Sequence, residues 1–339
     1  MTTKTLGAAI VGYGYMGEIR RRVIGADPAW RLVGIADPKP RPADLSGAIL
    51  WTDSYEDLVA RGDVDAVFAC VPNRIAPDVV CRSLAAGKHV FCEKPPGRTV
   101  ADVVRMRKAE AASGGRKLMF GFNHRFHPAM LEAKRLVDSA AMGRVLFLRG
   151  VYGKPGGAGF ERSWRNDPAE SGGGILLDQG IHMVDLFRYV CGDFERVKAF
   201  CGASIYRIPV EDNALVVFEN DRGQHALLHS SATLWRPTFR LEIGLEGGYL
   251  VAEGLLTKTG RYGPETLTVG RRPADDAPRP VGVHDETRHV YDEDGSWAME
   301  ASNFARAIRE DRPVGPCSSH DALRAMELVQ AAYVDAGRT

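Results

Sequence analysis

Excess charge of either sign is missing from this sequence. Against 44 Lys and Arg stand 43 Asp and Glu, a net charge of +1 over 339 residues. Proteins that bind nucleic acid usually carry a strong basic excess, and a balanced chain has no general attraction for an anionic membrane surface. Neither partner is expected. No run of 18 uncharged apolar residues occurs, so no transmembrane span is predicted. The start, Met1 to Leu6, lacks the apolar stretch of a signal peptide. Cysteine is scarce: Cys70, Cys81, Cys92, Cys191, Cys201 and Cys317, none of them in a C-x-x-C pair. That is no disulfide scaffold, and reduced thiols in a cytoplasmic protein are the simplest reading. Internal repeats and low-complexity tracts are absent, and the aromatic residues, 8% of the chain, form no base-stacking platform.

What is present is an ordinary globular composition, 45% apolar and 26% charged, in a length that suggests two domains. Over the first 122 residues, apolar runs at Leu6–Val11, Arg31–Ala36, Val64–Val71, His89–Cys92 and Lys117–Phe122 alternate with helical patterns at Met16–Ala26, Tyr55–Arg61, Ile75–Ala86 and Val100–Ser113. Nearly continuous apolar strands separated by helices predict a parallel sheet covered on both faces, an α/β domain over 1–122. From 123 to 339 the pattern changes. A helix over Ala129–Ser139 and a strand over Arg144–Tyr152 precede a Gly- and Pro-rich stretch, and Leu176–Val190 reads as a helix. Alternation then runs through Asn213–Glu219, Gln224–Trp235 and Phe239–Leu245, which predicts short connections and antiparallel pairing. Residues 271–295 read as surface loop, and helices over Ser296–Glu310 and Ser319–Ala336 close the chain. The second domain is thus expected to be α+β.

Gly12-Tyr13-Gly14-Tyr15-Met16-Gly17 is G-x-G-x-x-G between the first strand and the first helix. The first glycine allows the tight turn, the second a close approach of pyrophosphate, the third close packing of helix on strand. The helix N-terminus, with Tyr15 and Met16, offers unbonded N–H groups to phosphate. Asp37 ends the second strand, 20 residues after Gly17, where a carboxylate bonds a ribose 2′-hydroxyl. That carboxylate repels a 2′-phosphate and favours NAD; Lys39 and Arg41 beside it leave NADP as a second reading.

Three further segments carry a family resemblance: Val71-Pro72-Asn73 after the fourth strand, the run from Ala86 through Glu93-Lys94-Pro95, and Gly172-Gly173-Gly174 followed by Asp178, His182 and Asp185. Together with the glycine loop, Asn123-His124-Arg125-Phe126-His127-Pro128 and Trp164-Arg165, the chain from about residue 6 to its last helices resembles the Gfo/Idh/MocA oxidoreductases. The resemblance implies an N-terminal Rossmann domain of doubly wound parallel sheet. It implies a C-terminal domain with a large, mostly antiparallel sheet. It also implies hydride transfer between a nicotinamide cofactor and a hydroxyl or keto carbon of a sugar, polyol or sugar derivative. On the matching positions it makes Lys94, Asp178 and His182 catalytic. Val71, Pro72, Asn73, Glu93 and Lys94 then contact the cofactor, and Arg125, Trp164 and Arg165 join the catalytic three around substrate. One departure is Ala76, where the family often has histidine after P-N-x-x.

The chemistry also follows from the residue types. An imidazole that titrates near neutrality suits His182 as the base for a hydroxyl proton. Asp178, four residues earlier in the predicted helix, shares its face and can fix its tautomer; Asp185 is a further candidate orienter. Lys94, at the C-terminal end of a strand, stands where doubly wound sheets place ligands and suits stabilisation of alkoxide charge. Without H-E-x-x-H or a cysteine cluster, no metal is expected. Two other functions stay open, an NAD-retaining glycosidase of the same fold and a non-catalytic NAD-binding regulator. A sheet with helices on one face predicts a homodimer or homotetramer through its other face, with Thr233, Leu234, Trp235, Leu241, Ile243 and Leu245 as candidates for that face.

Overall fold

The computed structural model describes residues 4–256, 262–272 and 285–338. The chain runs β1 (Leu6–Val11), α1 (Tyr15–Ala26), β2 (Trp30–Ala36), β3 (Leu50–Thr52), α2 (Tyr55–Val59), β4 (Ala66–Ala69), α3 (Ala76–Ala85), β5 (His89–Cys92), α4 (Val100–Ala112) and β6 (Leu118–Phe120). It continues through α5 (Pro128–Asp138), β7 (Val145–Gly153), the single turn α6 (Pro168–Ser171), α7 (Ile181–Cys191), β8 (Arg196–Gly202), β9 (Asn213–Glu219), β10 (His225–Ser231), β11 (Thr238–Leu245), β12 (Gly248–Glu253), β13 (Glu265–Arg271) and β14 (Asp285–Tyr291). Helices α8 (Ser296–Arg309) and α9 (Ser319–Asp335) follow.

Two compact units result. The first takes Met1–Asn123, Ala169–Gly172 and Ser296–Met326; the second takes His124–Pro168, Gly173–Gly295 and Glu327–Thr339. In the first, six parallel strands lie in the order β3-β2-β1-β4-β5-β6, which is doubly wound with its switch between β1 and β4. β1, β4, β5 and β6 are buried throughout, as expected for a sheet packed on both faces. The short β3 is not among the expected strands; none of its three residues is buried, so it lacks the apolar run that marks the equally short β6. Helix α8 joins this unit through Phe304, whose ring stacks on Trp30 at 5.9 Å and meets Phe68 and Phe91 edge-on.

The second unit holds eight strands in the order β14-β13-β12-β11-β7-β10-β9-β8, all antiparallel except β7 with β10. Two expectations are corrected here. First, β10 and β11 do not pair; β7, some 80 residues earlier in sequence, lies between them. Second, Leu241, Ile243 and Leu245 face inward and are buried. Alternation had placed those three on one face, and that face meets the helix layer. Trp235, among the candidates, is exposed just past β10, and the exposed apolar residues of the strands include Phe147, Phe200, Leu215, Val217 and Leu227. The loop expected over 271–295 contains strand β14, while its residues 273–284 lie outside the described ones. On the inner face, Gly150 of β7 lets α7 approach closely: a Cβ there would stand 2.6 Å from Met183 Cγ and 2.9 Å from Phe187 Cζ.

Candidate active site

In the first unit the glycine loop is built as its spacing predicts. Gly12 has φ +89°, and a Cβ on it would lie 2.4 Å from the Cys70 carbonyl oxygen. A Cβ on Gly17 would lie 2.2 Å from the Gly12 carbonyl oxygen, so the loop can close only with glycine there. A Cβ on Gly14 would meet nothing within 4 Å. Gly14 is also the N-cap of α1 and supplies no side-chain cap to its first turn, Tyr15 to Gly17. Open space in front of uncapped helix amides fits a pyrophosphate. Asp37 is buried at the end of β2; its Oδ2 accepts the Tyr13 N–H at 2.6 Å and its Oδ1 the Lys39 N–H at 2.9 Å. An ionised carboxylate has about four acceptor positions, so Asp37 both holds the loop and retains capacity for ribose hydroxyls. Arg41 donates to the carbonyls of Leu45 and Ser46 in its own loop.

The other cofactor candidates of this unit lie at strand ends. Val71 packs beside Gly12. Pro72 accepts the Ile75 N–H, and the Asn73 side chain donates to the Ser171 carbonyl at 2.7 Å. Glu93 directly follows β5, with its carboxylate on Arg20 at 2.6 Å. Lys94 follows it, half-buried, with a cis bond to Pro95.

The second unit brings Asp178, Tyr152, His182 and His124 together. The helix expected over Leu176–Val190 opens instead as a π turn, Leu176–Gly180, before α7 begins. Its start is held by Glu211, which is buried and accepts the N–H groups of Gly174 and Leu176 at 3.0 to 3.1 Å and the Tyr333 hydroxyl at 2.7 Å. The three glycines before it are explained at two positions. A Cβ on Gly173 would lie 2.3 Å from the Tyr333 oxygen, and one on Gly174 would lie 2.1 Å from the Glu211 carbonyl oxygen. Such one-turn π insertions in α-helices are frequent at functional sites.

His182 is buried, and its ring stacks on that of His124 with centroids 3.7 Å apart and planes at 27°. Tyr152 meets His124 edge-on at 5.2 Å and lies 6.3 Å from His182. Burial, followed by Tyr262 and the Asp178 charge, pushes the Tyr152 hydroxyl well above its usual range, so it remains a neutral donor. Asp178 faces Arg165, Nε to Oδ1 at 3.6 Å, and the Arg165 guanidinium lies over the Trp164 ring at 4.6 Å.

Arg125 and Asp185 are elsewhere engaged. They form a buried bidentate pair at 2.7 and 2.6 Å, with the guanidinium over the Tyr189 ring at 4.8 Å. Asp185, three residues after His182 and a candidate orienter of it, holds Arg125. His124 and Tyr152 were missed as site residues. His124 stands within the quoted Asn123–Pro128 segment, but only the fold brings it against a helix 58 residues later. Among the described residues, no group of three or more His, Cys, Asp or Glu could hold a metal, and no helix is long and apolar enough to cross a membrane.

Known proteins share this organisation. Residues 6–122 match the model of an oxidoreductase family with an NAD-binding Rossmann fold, and residues 130–251 match the GFO/IDH/MocA C-terminal domain. An inositol 2-dehydrogenase of Rhizobium meliloti (strain 1021) is 27% identical over 97% of this chain and 96% of its own. Another, of Gluconacetobacter diazotrophicus, is 31% identical over 65% of each. The solved structure of levoglucosan dehydrogenase with NADH and levoglucosan superposes with TM-score 0.86 at 22% identity, covering 98% of both chains, and so shares the fold. The aldose-aldose oxidoreductase of Caulobacter crescentus does so at 0.83 and 25%, again over 98% of both. The chain belongs to the GFO/IDH/MocA oxidoreductases, and its first unit carries their NAD-binding Rossmann fold.

Proposed function

We propose that this oxidoreductase moves a hydride between NAD and the hydroxyl- or keto-bearing carbon of a sugar or polyol. The first unit serves as the cofactor domain, and the second as the domain for substrate and self-association. The observation that carries the reading is the buried imidazole of His182 in one cluster with Asp178 and Tyr152, in a chain akin to two inositol dehydrogenases. The nicotinamide ring, when bound, supplies the hydride acceptor. His182 takes the hydroxyl proton at a ring nitrogen, and Asp178 stabilises the imidazolium that results. Lys94 donates to the reacting oxygen and steadies alkoxide charge. In ketone reduction the same groups return the proton. Arg165 and Trp164 wall the substrate side, and no metal takes part.

NAD is preferred to NADP because Asp37 occupies the ribose-reading position while Arg41 is bonded to carbonyls of its own loop. Scarce cysteine supports a cytoplasmic location, and the exposed apolar residues of the second sheet support a homodimer or homotetramer.

The test is a screen of inositols, aldoses, amino sugars and nucleotide sugars with NAD and NADP, followed by absorbance of the reduced nicotinamide. Turnover with NAD on at least one of them is expected, with weaker binding of NADP. His182→Ala should lower that turnover by about 100-fold or more, the scale of a lost general base, while NAD affinity stays near wild type. Undiminished turnover in His182→Ala would overturn the assignment. Sugar cleavage without net NADH release would move the reading to the NAD-retaining glycosidase.

A further inference from the structure

Three charges lie inside the otherwise apolar centre of the first unit. Arg20, on α1 three residues after Gly17, is fully buried. Its Nε donates to Glu93 Oε1 at 2.6 Å and its Nη2 to Glu300 Oε2 at 2.7 Å. The guanidinium lies over the Phe91 ring at 4.2 Å. Both carboxylates are buried as well. Gly121, just past β6, makes room for Glu93: a Cβ there would stand 2.6 Å from Glu93 Oε2. Buried ion pairs of this kind rarely add net stability over well-packed apolar residues, because desolvation offsets the attraction. What the triad does accomplish is a linkage of three elements. α1 presents the glycine loop to phosphate, β5 passes directly into Glu93 and Lys94, and α8 carries Glu300.

The sheet order assigns these elements to different parts of the cofactor. A dinucleotide lies across the switch between β1 and β4, one mononucleotide on each side. Asp37, on the β2 side, is placed for the adenosine ribose. β5 belongs to the other half, where the nicotinamide mononucleotide binds.

We propose that Arg20 is a positioning residue for the nicotinamide half of the cofactor, acting through Glu93 to hold the end of β5 against the phosphate-binding helix. The Glu93 carboxylate, which the sequence offered as a cofactor contact, does this work from inside. Glu300 steadies the guanidinium from α8. The inference rests on the reading of the first unit as the NAD domain and adds to it a residue outside the glycine motif.

Two ligands separate this role from general scaffolding. ADP-ribose keeps the adenosine, pyrophosphate and second ribose of NAD and lacks only the nicotinamide. Calorimetric titration of both into the full chain is compared with Arg20→Lys, Glu93→Gln and Glu300→Gln, with melting temperatures recorded in parallel. Lysine keeps the charge but cannot span two carboxylates with a planar fork. Arg20→Lys and Glu93→Gln should each weaken NAD by about tenfold, and ADP-ribose by less than about twofold; combined they should be little worse than either alone, because they break one link. Glu300→Gln should act in the same direction more weakly, and carries the test if Arg20→Lys does not fold. Equal weakening of both ligands would overturn the positioning role. So would loss of NAD affinity in Glu93→Gln alone, which would mean that Glu93 touches the cofactor itself. A wild-type protein that binds neither ligand overturns the NAD-domain reading instead, and the two failures are therefore distinguishable.

Discussion

Strands β1, β4 and β5 of the first sheet are buried at every residue, whereas β9 and β10 of the second are buried mainly at alternate ones. The first sheet has helices on both faces and spends its whole surface on its own core. The second packs its helices against one face and leaves apolar side chains on the other. Each sheet also supports a buried arginine, with different bookkeeping of charge. Arg20 bridges two carboxylates from two elements, and Arg125 grips Asp185 with both prongs. The closed sheet therefore has a buried charge that ties several elements together, and the half-open sheet has a bidentate pair on its site helix.

The largest effect should come from breaking that bidentate pair. Arg125→Met takes the bidentate cation from the buried Asp185 carboxylate, a loss of about 3–5 kcal/mol. Thermal melting should show the second unit unfolding about 10 °C earlier, while NAD binding at low temperature persists. An unchanged melting curve would show that Arg125 is not the anchor of α7.

The open face gives the next effect. Phe200 is 82% exposed, with Leu215, Val217, Leu227 and Phe147 on the same outward side of the sheet. Contiguous apolar patches above about 300–600 Å² are rarely left in water. Light scattering should report a dimer or tetramer, and a Phe200→Ser, Leu215→Ser double variant should shift it toward smaller species. A wild-type monomer would make this face as self-sufficient as the first sheet and remove the contrast.

The smallest expected effect lies in the first unit and concerns pH. His89 accepts the Lys117 N–H at Nδ1 at 3.0 Å; burial, then the nearby Arg116 and Lys117 charges, push its pKa down to about 4. Unfolded, it titrates at about 6.5. Between those values the unfolded chain takes up a proton that the folded one refuses, so stability contributed by neutral His89 is present above that window and is lost as pH falls through it. His89→Gln keeps an acceptor and cannot titrate. Its melting temperature should fall less between pH 6.5 and pH 4.5 than that of the wild type, over the window set by the shift just described. Parallel curves would show that His89 is not the titrating group.

Legibility in the sequence followed the range of the interactions. The glycine loop, Asp37 and five of the six strands of the first sheet could be read because each depends on neighbours within a few residues or on an apolar run. The placement of β7 between β10 and β11 could not, because strand pairing across some 80 residues leaves no local mark. Alternation grouped Leu241, Ile243 and Leu245 correctly on one face and could not say which face the helices would cover. Asp185 illustrates the same limit at a single side chain. Spacing of three from His182 suggests a role on its own helix, and says nothing of Arg125, 60 residues upstream, which the fold brings onto the carboxylate.

By itself, then, the sequence determined the two domain types, the glycine loop with the acid that ends its neighbouring strand, and the family to which the chain belongs. Those depend on residue identity at short, fixed spacings. Tertiary structure alone decided that His124 stacks on His182, that Glu211 and Tyr333 shape the turn bearing Asp178, and that Arg20 joins Glu93 to Glu300. Each of these contacts joins residues dozens to hundreds of positions apart. Their energy is gained only after the backbone entropy of bringing the segments together has been met by the whole fold.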